Sequence, residues 1–297
     1  MLFPALVEAA QLIPSVAADT SSYFRFESLG LDPVAFSISL VEIRWYSLAY
    51  IASIVMAYWY LLKLIAAPGA PLARRHADQL IFIGTLGVML GGRLGFALFY
   101  KPELLTDFGA LVNLSSGGMS LHGGVLGVVI GLGYLCWRNR LNFLRVCDYI
   151  ACTIAFGLLF GRLANFNNGE LWGRPTDVPW AMIFPEGGEI PRHPSQLYEA
   201  GLEGILLFLI MYVMFWKTDA RYKPGLLFGT SALVYGFSRF FVEFFRQPDK
   251  GLENLSWGLT MGQTLTVPMI IFGFYLVLTA KKRRQRVEPF AGTDSIA

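Results

Sequence analysis

The sequence predicts an all-α integral membrane protein, seven transmembrane helices with a small extracytoplasmic cap, and three observations lead there. Apolar residues make up 55% of the 297 positions and charged residues only 15%. With a mean hydropathy of +0.50, that balance lies outside the range of water-soluble globular chains. Apolar stretches of spanning length recur at 45–65, 79–100, 119–137, 146–165, 196–216, 225–245 and 258–280, and each can cross a hydrocarbon core of about 30 Å, which takes about 20 helical residues. Basic residues, finally, fall unevenly between the two sides. One side collects Lys63, Arg74, Arg75, Arg138, Arg140, Arg145, Lys217, Arg221, Lys223, Lys281, Lys282, Arg283, Arg284 and Arg286; the other has Arg25, Arg44, Lys101, Arg174, Arg192, Arg246 and Lys250. The richer side faces the cytoplasm, so the N-terminus is expected outside and the C-terminus inside. The chain reads as one polytopic membrane domain, 1–297, without internal repeats.

Taken in order, the first stretch, "MLFPALVEAAQLIPSVA", lacks a basic flank and is interrupted by Pro4 and Pro14. It reads as an interfacial or disordered extension, with a signal peptide as the weaker alternative. The first span opens with Tyr46 at its outer end, and the second carries Arg93. The third begins at His122, after "SSGGMS". The fourth ends in "GRLANFNNGELWG", residues 161–173, followed by a polar segment at about 166–195 that forms the cap, which residues 101–118 join. Glu199 and Glu203 lie in the fifth span, and Tyr235, Arg239 and Glu243 in the sixth. The glycines, 31 in all, are compatible with close helix approach. The "KKRRQR" tail is a solvated anchor beside anionic lipid, and a net charge of +3 requires no nucleic acid.

Cys136, Cys147 and Cys152 stand near cytoplasmic span ends and read as packing residues. His76, His122 and His193 lack ligand spacing, and His76 lies on the opposite side from the other two, so no metal site is expected.

Charge inside a span is costly and marks function by default. Arg93, Arg162, Glu199, Glu203, Arg239 and Glu243 all fall in the outer half of their helices, which points to one site facing the outer leaflet. Each has a structural alternative. Arg239 and Glu243, at i and i+4, can form an ion pair with a hydrogen bond from Tyr235. Glu199 and Glu203 can be counter-ions of Arg93, and His193 a cap residue. Arg162 has no acidic residue three or four positions away, which leaves its charge for another helix or a ligand. Arginines at headgroup depth form a donor fork suited to a phosphodiester. A Ser–His hydrolase does not fit, because Ser120 and His122 are i, i+2 and there is no GxSxG elbow. A transporter and a lipid-binding membrane protein without chemistry remain as alternatives.

The stretch "GRLANFNNGELWG" resembles the signature of prolipoprotein diacylglyceryl transferases. In order along the chain, "DPVAFSI", "RWYSLAY", "GGRLGFALFY", "GGMSLHGG", "RHPSQLYE", "VEFFRQPD" and "MGQ" resemble that family too. Asn167, Arg44 and the N-terminal extension depart from it. The resemblance implies a reaction: the diacylglyceryl group of phosphatidylglycerol moves to the lipobox cysteine thiol of a prolipoprotein, forming a thioether and releasing glycerol phosphate. It implies no cofactor, and its partners are phosphatidylglycerol, prolipoprotein signal peptides and the surrounding membrane lipids of a bacterial inner membrane. It also implies Arg162, Arg239 and His122 as catalytic residues, with Tyr46, Asn165, Glu170 and Tyr235 in support. The chemistry agrees: a thiol with a reference pKa of about 8.5 needs a base or a positive field to ionise, and His122 is either that base or a headgroup ligand.

Overall fold

The computed structural model describes residues 23–38, 41–113, 117–248 and 258–284. The expected N-terminal extension up to residue 22, Lys250, and the tail beyond Arg284 lie outside the described residues. The chain is mostly helical. Five helices are long and apolar enough to cross a membrane: α1 (Trp45–Ile65), α2 (Arg74–Phe99), α5 (Phe143–Asn167), α6 (Ser195–Lys217) and α8 (Met261–Arg283, whose regular part ends at Thr279). Between them lie the five-residue α3 (Phe108–Val112), the 18-residue α4 (Leu121–Arg138) and the 17-residue apolar α7 (Leu226–Val242). Helices α4 and α7 occupy the places of the expected third and sixth spans, and α7 stops three residues before the expected end at 245.

Sequence-encoded caps start several of these helices. Ser120 Oγ accepts from the Gly123 amide at 3.2 Å, Asn142 Oδ1 from that of Arg145 at 3.2 Å, and Thr260 and Gln263 exchange side chain-to-backbone bonds in a capping box. Helix α7 is capped from a distance. Gly225 precedes it with φ +82°, and the Asp148 carboxylate of α5 accepts from the amides of Gly225 and Phe228, both at 2.7 Å. An anion at a helix N-terminus satisfies otherwise unpaired donors and opposes the helix dipole. Asp148 is fully buried and lies within the expected fourth span.

The main core gathers Leu64, Tyr149, Leu207, Met211, Phe215 and Leu227 from α1, α5, α6 and α7. Cys136, Cys147 and Cys152 are free thiols buried within it, as packing residues. Helices α2 and α4 pack along two glycine rows, Gly87, Gly91, Gly95 and Gly123, Gly127, Gly131. A Cβ on Gly87 would stand 2.8 Å from the Gly127 carbonyl carbon, and one on Gly95 would stand 2.7 Å from the Gly123 Cα. Backbones that close leave no room for any other residue.

Strands are few: β1 (Phe24–Arg25), β2 (Val34–Ile38), β3 (Val41–Arg44) and β4 (Met182–Ile183). Strands β2 and β3 form an antiparallel hairpin that leads into α1, while β1 pairs in parallel with β4. The polar segment between α5 and α6, expected to form a cap, is folded. Gly173 and Arg174 bond through their amides to the carbonyls of His193 and Phe245, both at 2.8 Å, and Met182 and Arg192 exchange two backbone bonds at 2.9 Å. Residues 24–32, ahead of the first motif, close it. Phe26 is buried among Met182, Phe184, Phe166 and Trp172, and Arg25 makes two hydrogen bonds to Glu189 at 2.6 and 3.1 Å. That contact holds the Glu189 carboxyl below its ordinary pKa.

Replacing Gly127 with Leu is expected to force α2 and α4 apart at a cost at or above the usual overpacking range of about 1–3 kcal/mol. The thermal unfolding midpoint of the detergent-purified protein checks this. Gly133→Ala, where an added Cβ meets nothing within 4 Å, is expected to leave it unchanged.

Candidate functional site

The signature segment 161–173 is the end of α5 and the turn beyond it. Helix α5 finishes at Asn167, Gly169 takes a left-handed φ of +65°, and Leu171 does likewise at +57°. This reversal brings Glu170 back onto the helix end. Its carboxylate Oε1 accepts from Asn165 Nδ2 at 2.9 Å and Asn168 Nδ2 at 3.2 Å. Two buried residues at the start of α6 hold the backbone from the other side: Gln196 donates to the Glu170 carbonyl at 2.6 Å, and Ser195 to that of Leu171 at 3.2 Å. Left-handed geometry at Gly169 accommodates the ring of Phe26, which lies 3.3 Å from where a Cβ would stand. Asn167, a departure from the family pattern, donates to the Asp32 carbonyl at 3.1 Å, so it ties the segment before β2 to the signature turn.

One turn down α5, Arg162 meets α6. Its Nε lies 2.7 Å from Glu199 Oε2, and its Nη2 lies 3.6 Å from Glu203 Oε2. The other oxygen of Glu199 accepts from Arg239 Nη1 of α7 at 2.7 Å, and Arg239 Nη2 pairs with Glu243 at 2.9 Å. Glu199 therefore bridges the two arginines, with a side chain only 1% exposed. The expectation that Glu199 and Glu203 balance Arg93 is corrected here, because both carboxylates reach Arg162 while five backbone carbonyls accept from Arg93. A π-helical stretch, Ala200–Leu206, begins just after Glu199 and contains Glu203. Such i→i+5 turns locally change which residues share a face and recur at functional sites.

The remaining expected residues divide into those near the bridge and one apart. Tyr235 lies within electrostatic range of Glu203, Arg239 and Arg162, but none of the hydrogen bonds among the described residues is made by its hydroxyl. Tyr46, at the start of α1, shares a 3.4 Å hydroxyl contact with Tyr50 and lies within electrostatic range of Glu170 and Arg162. His122 stands in the first turn of α4. It lines an almost wholly apolar groove of about 620 Å³ between α2 and α4, walled by Leu90, Leu94, Leu98 and Leu126. Among the described residues no hydrogen bond or ion pair joins it to either arginine. His193 belongs to the cap, its Nδ1 3.1 Å from the Tyr198 hydroxyl and its ring edge-on to Phe245; burial lowers its pKa from the ordinary histidine value.

The arrangement can hold an anion at one edge. Carboxylates occupy Arg162 Nε and Nη2 and both terminal nitrogens of Arg239. Arg162 Nη1 makes no hydrogen bond among the described residues, and its side chain keeps 18% exposure. That leaves one charged donor on a side chain whose other nitrogens are held by carboxylates. No group of three or more His, Cys, Asp or Glu side chains capable of holding a metal occurs among the described residues.

Comparison with known proteins agrees with the motif pattern. The family described as prolipoprotein diacylglyceryl transferase matches residues 33–279. A phosphatidylglycerol–prolipoprotein diacylglyceryl transferase of Zymomonas mobilis is 51% identical over 271 residues, covering 88% of this chain and 95% of the relative. A protein of the same name from Erythrobacter litoralis is 51% identical over 267 residues, covering 89% and 94%. One from Paramagnetospirillum magneticum is 46% identical over 256 residues, covering 85% and 95%. With a family match across most of its length and relatives at half identity end to end, the chain belongs to the prolipoprotein diacylglyceryl transferase family.

Proposed function

We infer that this chain is a transferase that moves the diacylglyceryl group of phosphatidylglycerol onto the thiol of a prolipoprotein's lipobox cysteine, the first step of lipoprotein maturation. Family membership and relatives of that name over most of the chain support the activity. The observation that carries the site assignment is the Glu199 carboxylate shared by Arg162 and Arg239. The setting belongs to the same reading: a bacterial inner membrane, seven spans formed by α1, α2, α4, α5, α6, α7 and α8, the N-terminus and cap outside, and the C-terminus in the cytoplasm. The basic-residue asymmetry supports that orientation.

The chemistry is a displacement at carbon. The cysteine thiolate forms a C–S bond to the glycerol carbon that carries the phosphate ester, and the C–O bond to phosphate breaks. The thiol proton goes to a base, for which His122 is the candidate imidazole. Glycerol phosphate leaves as a monoester, gaining most of one negative charge as the bond breaks. A guanidinium touching that phosphate therefore binds the transition state more tightly than the ground state. Arg162 makes the contact through Nη1, and Glu199 fixes its plane. Arg239 anchors Glu199 from behind, Asn165 and Glu170 shape the rim, and Tyr46 and Tyr235 border the charge cluster. A monoester leaves without a proton, so no separate general acid is required. Lipid and signal peptide approach from the same leaflet.

Purified protein given phosphatidylglycerol and a lipobox peptide is expected to release glycerol phosphate only when the peptide carries its cysteine. Release without peptide, or none at all, would count against the transferase reading. Arg162→Ala and Arg239→Ala are each expected to abolish transfer in protein that still inserts and purifies; substantial residual rate in both contradicts the site assignment. Glu199→Gln keeps the shape but removes the charge that both guanidiniums share. A displacement of about 1 Å costs on the order of 10²-fold, so kcat is expected to fall by about that factor. A base must be unprotonated to accept the thiol proton, so the wild-type rate is expected to fall on the acid side. His122→Asn is expected to be slower and to lose that acid limb, and an unaltered profile demotes His122 to a binding role.

A further inference from the structure

Among the described residues, five backbone carbonyls accept from the guanidinium of Arg93. Nε donates to Leu111 at 2.9 Å, Nη2 to Ala110 and Asn113 at 2.8 and 2.9 Å, and Nη1 to Gly118 at 3.1 Å and also to Gly117. All five carbonyls come from α3 and the stretch that leads into α4. Gly117 and Gly118 both take left-handed backbone, φ +72° and +83°, which turns two successive carbonyls onto the same nitrogen. A Cβ on Gly118 would stand 2.6 Å from Phe96 Cζ. The neighbouring residue on α2 completes the attachment: the Gly92 carbonyl accepts from the Ser120 amide at 2.9 Å, and Ser120 caps α4. Two adjacent residues of α2 thus hold both the incoming segment and the first turn of the helix that carries His122.

We propose that Arg93 is a positioning residue for His122: by gathering the carbonyls of Ala110, Leu111, Asn113, Gly117 and Gly118 it fixes where α4 begins and so where the imidazole stands. The proposal rests on the reading of His122 as the reacting imidazole. Chemistry requires arginine here. Lysine supplies three donors on a flexible stem and cannot meet five carbonyls.

The test is a double-mutant cycle on the full-length purified protein, with phosphatidylglycerol and a lipobox peptide as substrates. Arg93→Lys is expected to lower kcat by about 10²-fold, the cost of a misplacement near 1 Å, with little change in KM for phosphatidylglycerol. Amide hydrogen exchange across residues 104–113 is expected to rise. Adding Arg93→Lys to His122→Asn is expected to cost nothing more, because residues that act as one unit are not additive. An equal fractional loss in both backgrounds, unchanged exchange, or a wild-type rate with a loosened segment overturns the proposal. A wild-type rate in His122→Asn alone overturns the underlying reading of His122 instead, while the exchange measurement still reports on the anchor. Gly117→Ala strains the same segment at its left-handed turn and supplies the cycle if Arg93→Lys is not recovered folded; the same outcomes decide it.

Discussion

Everything at the candidate site depends on one carboxylate shared by two guanidiniums. In an apolar surround an unpaired charge is prohibitively costly, and a buried ion pair broken by loss of one partner costs about 3–5 kcal/mol. Glu199 of α6 answers that constraint for Arg162 of α5 and Arg239 of α7 at once, so the relative positions of three helices are set by where their charges must meet. Asp148 acts similarly at the other end of α5, accepting two amides from the start of α7. Asp148 and Arg162 are 14 residues apart, or about 21 Å at 1.5 Å per residue. Two polar ties at that separation leave α5 and α7 little freedom to slide or rotate, and the apolar core between them adds close packing without direction.

Above this frame, the signature turn depends on segments distant in sequence. Glu170 is held by Asn165 and Asn168 of its own helix end and by Gln196 of α6. Phe26 and Asp32 reach it from the chain ahead of α1. Hydrogen bonds that reach the turn from several directions restrict it to one geometry. The contrast lies between α2 and α4, where glycine rows permit backbone contact and leave an apolar groove at whose mouth His122 stands.

Much of this was legible in the residues. Apolar length located the helices to within a few residues, since it follows from the thickness of the bilayer rather than from tertiary detail. Intramembrane charge marked Arg162 and Arg239, and the Arg239–Glu243 pair followed from i, i+4 spacing. Partner choice across helices was not legible. Glu199 was as plausible a counter-ion for Arg93 as for Arg162 until the rotation of α6 was known, and the π-helical stretch at Ala200–Leu206 has no clear sequence mark. Arg93 had only a remote signal, the glycine pair of "GGMS" at 117–118, which can take left-handed backbone and turn carbonyls toward a donor. Asp148 carried the mark of an acid inside the expected fourth span, but its partners, backbone amides of another helix, have no side-chain signature. Nor could spacing show that residues 24–32 pack on the signature turn, which is a contact made across more than a hundred residues.

The account's central claim is that the lipid phosphate binds on the outward edge of Arg162 while Glu199 holds that guanidinium from behind. An experimental structure with phosphatidylglycerol bound tests it most directly. The account predicts a phosphate oxygen at hydrogen-bond distance, about 3 Å, from Arg162 Nη1, with Glu199 still bridging Arg162 and Arg239. A phosphate seated away from Arg162, or a bound state in which Glu199 has released both arginines, would contradict it.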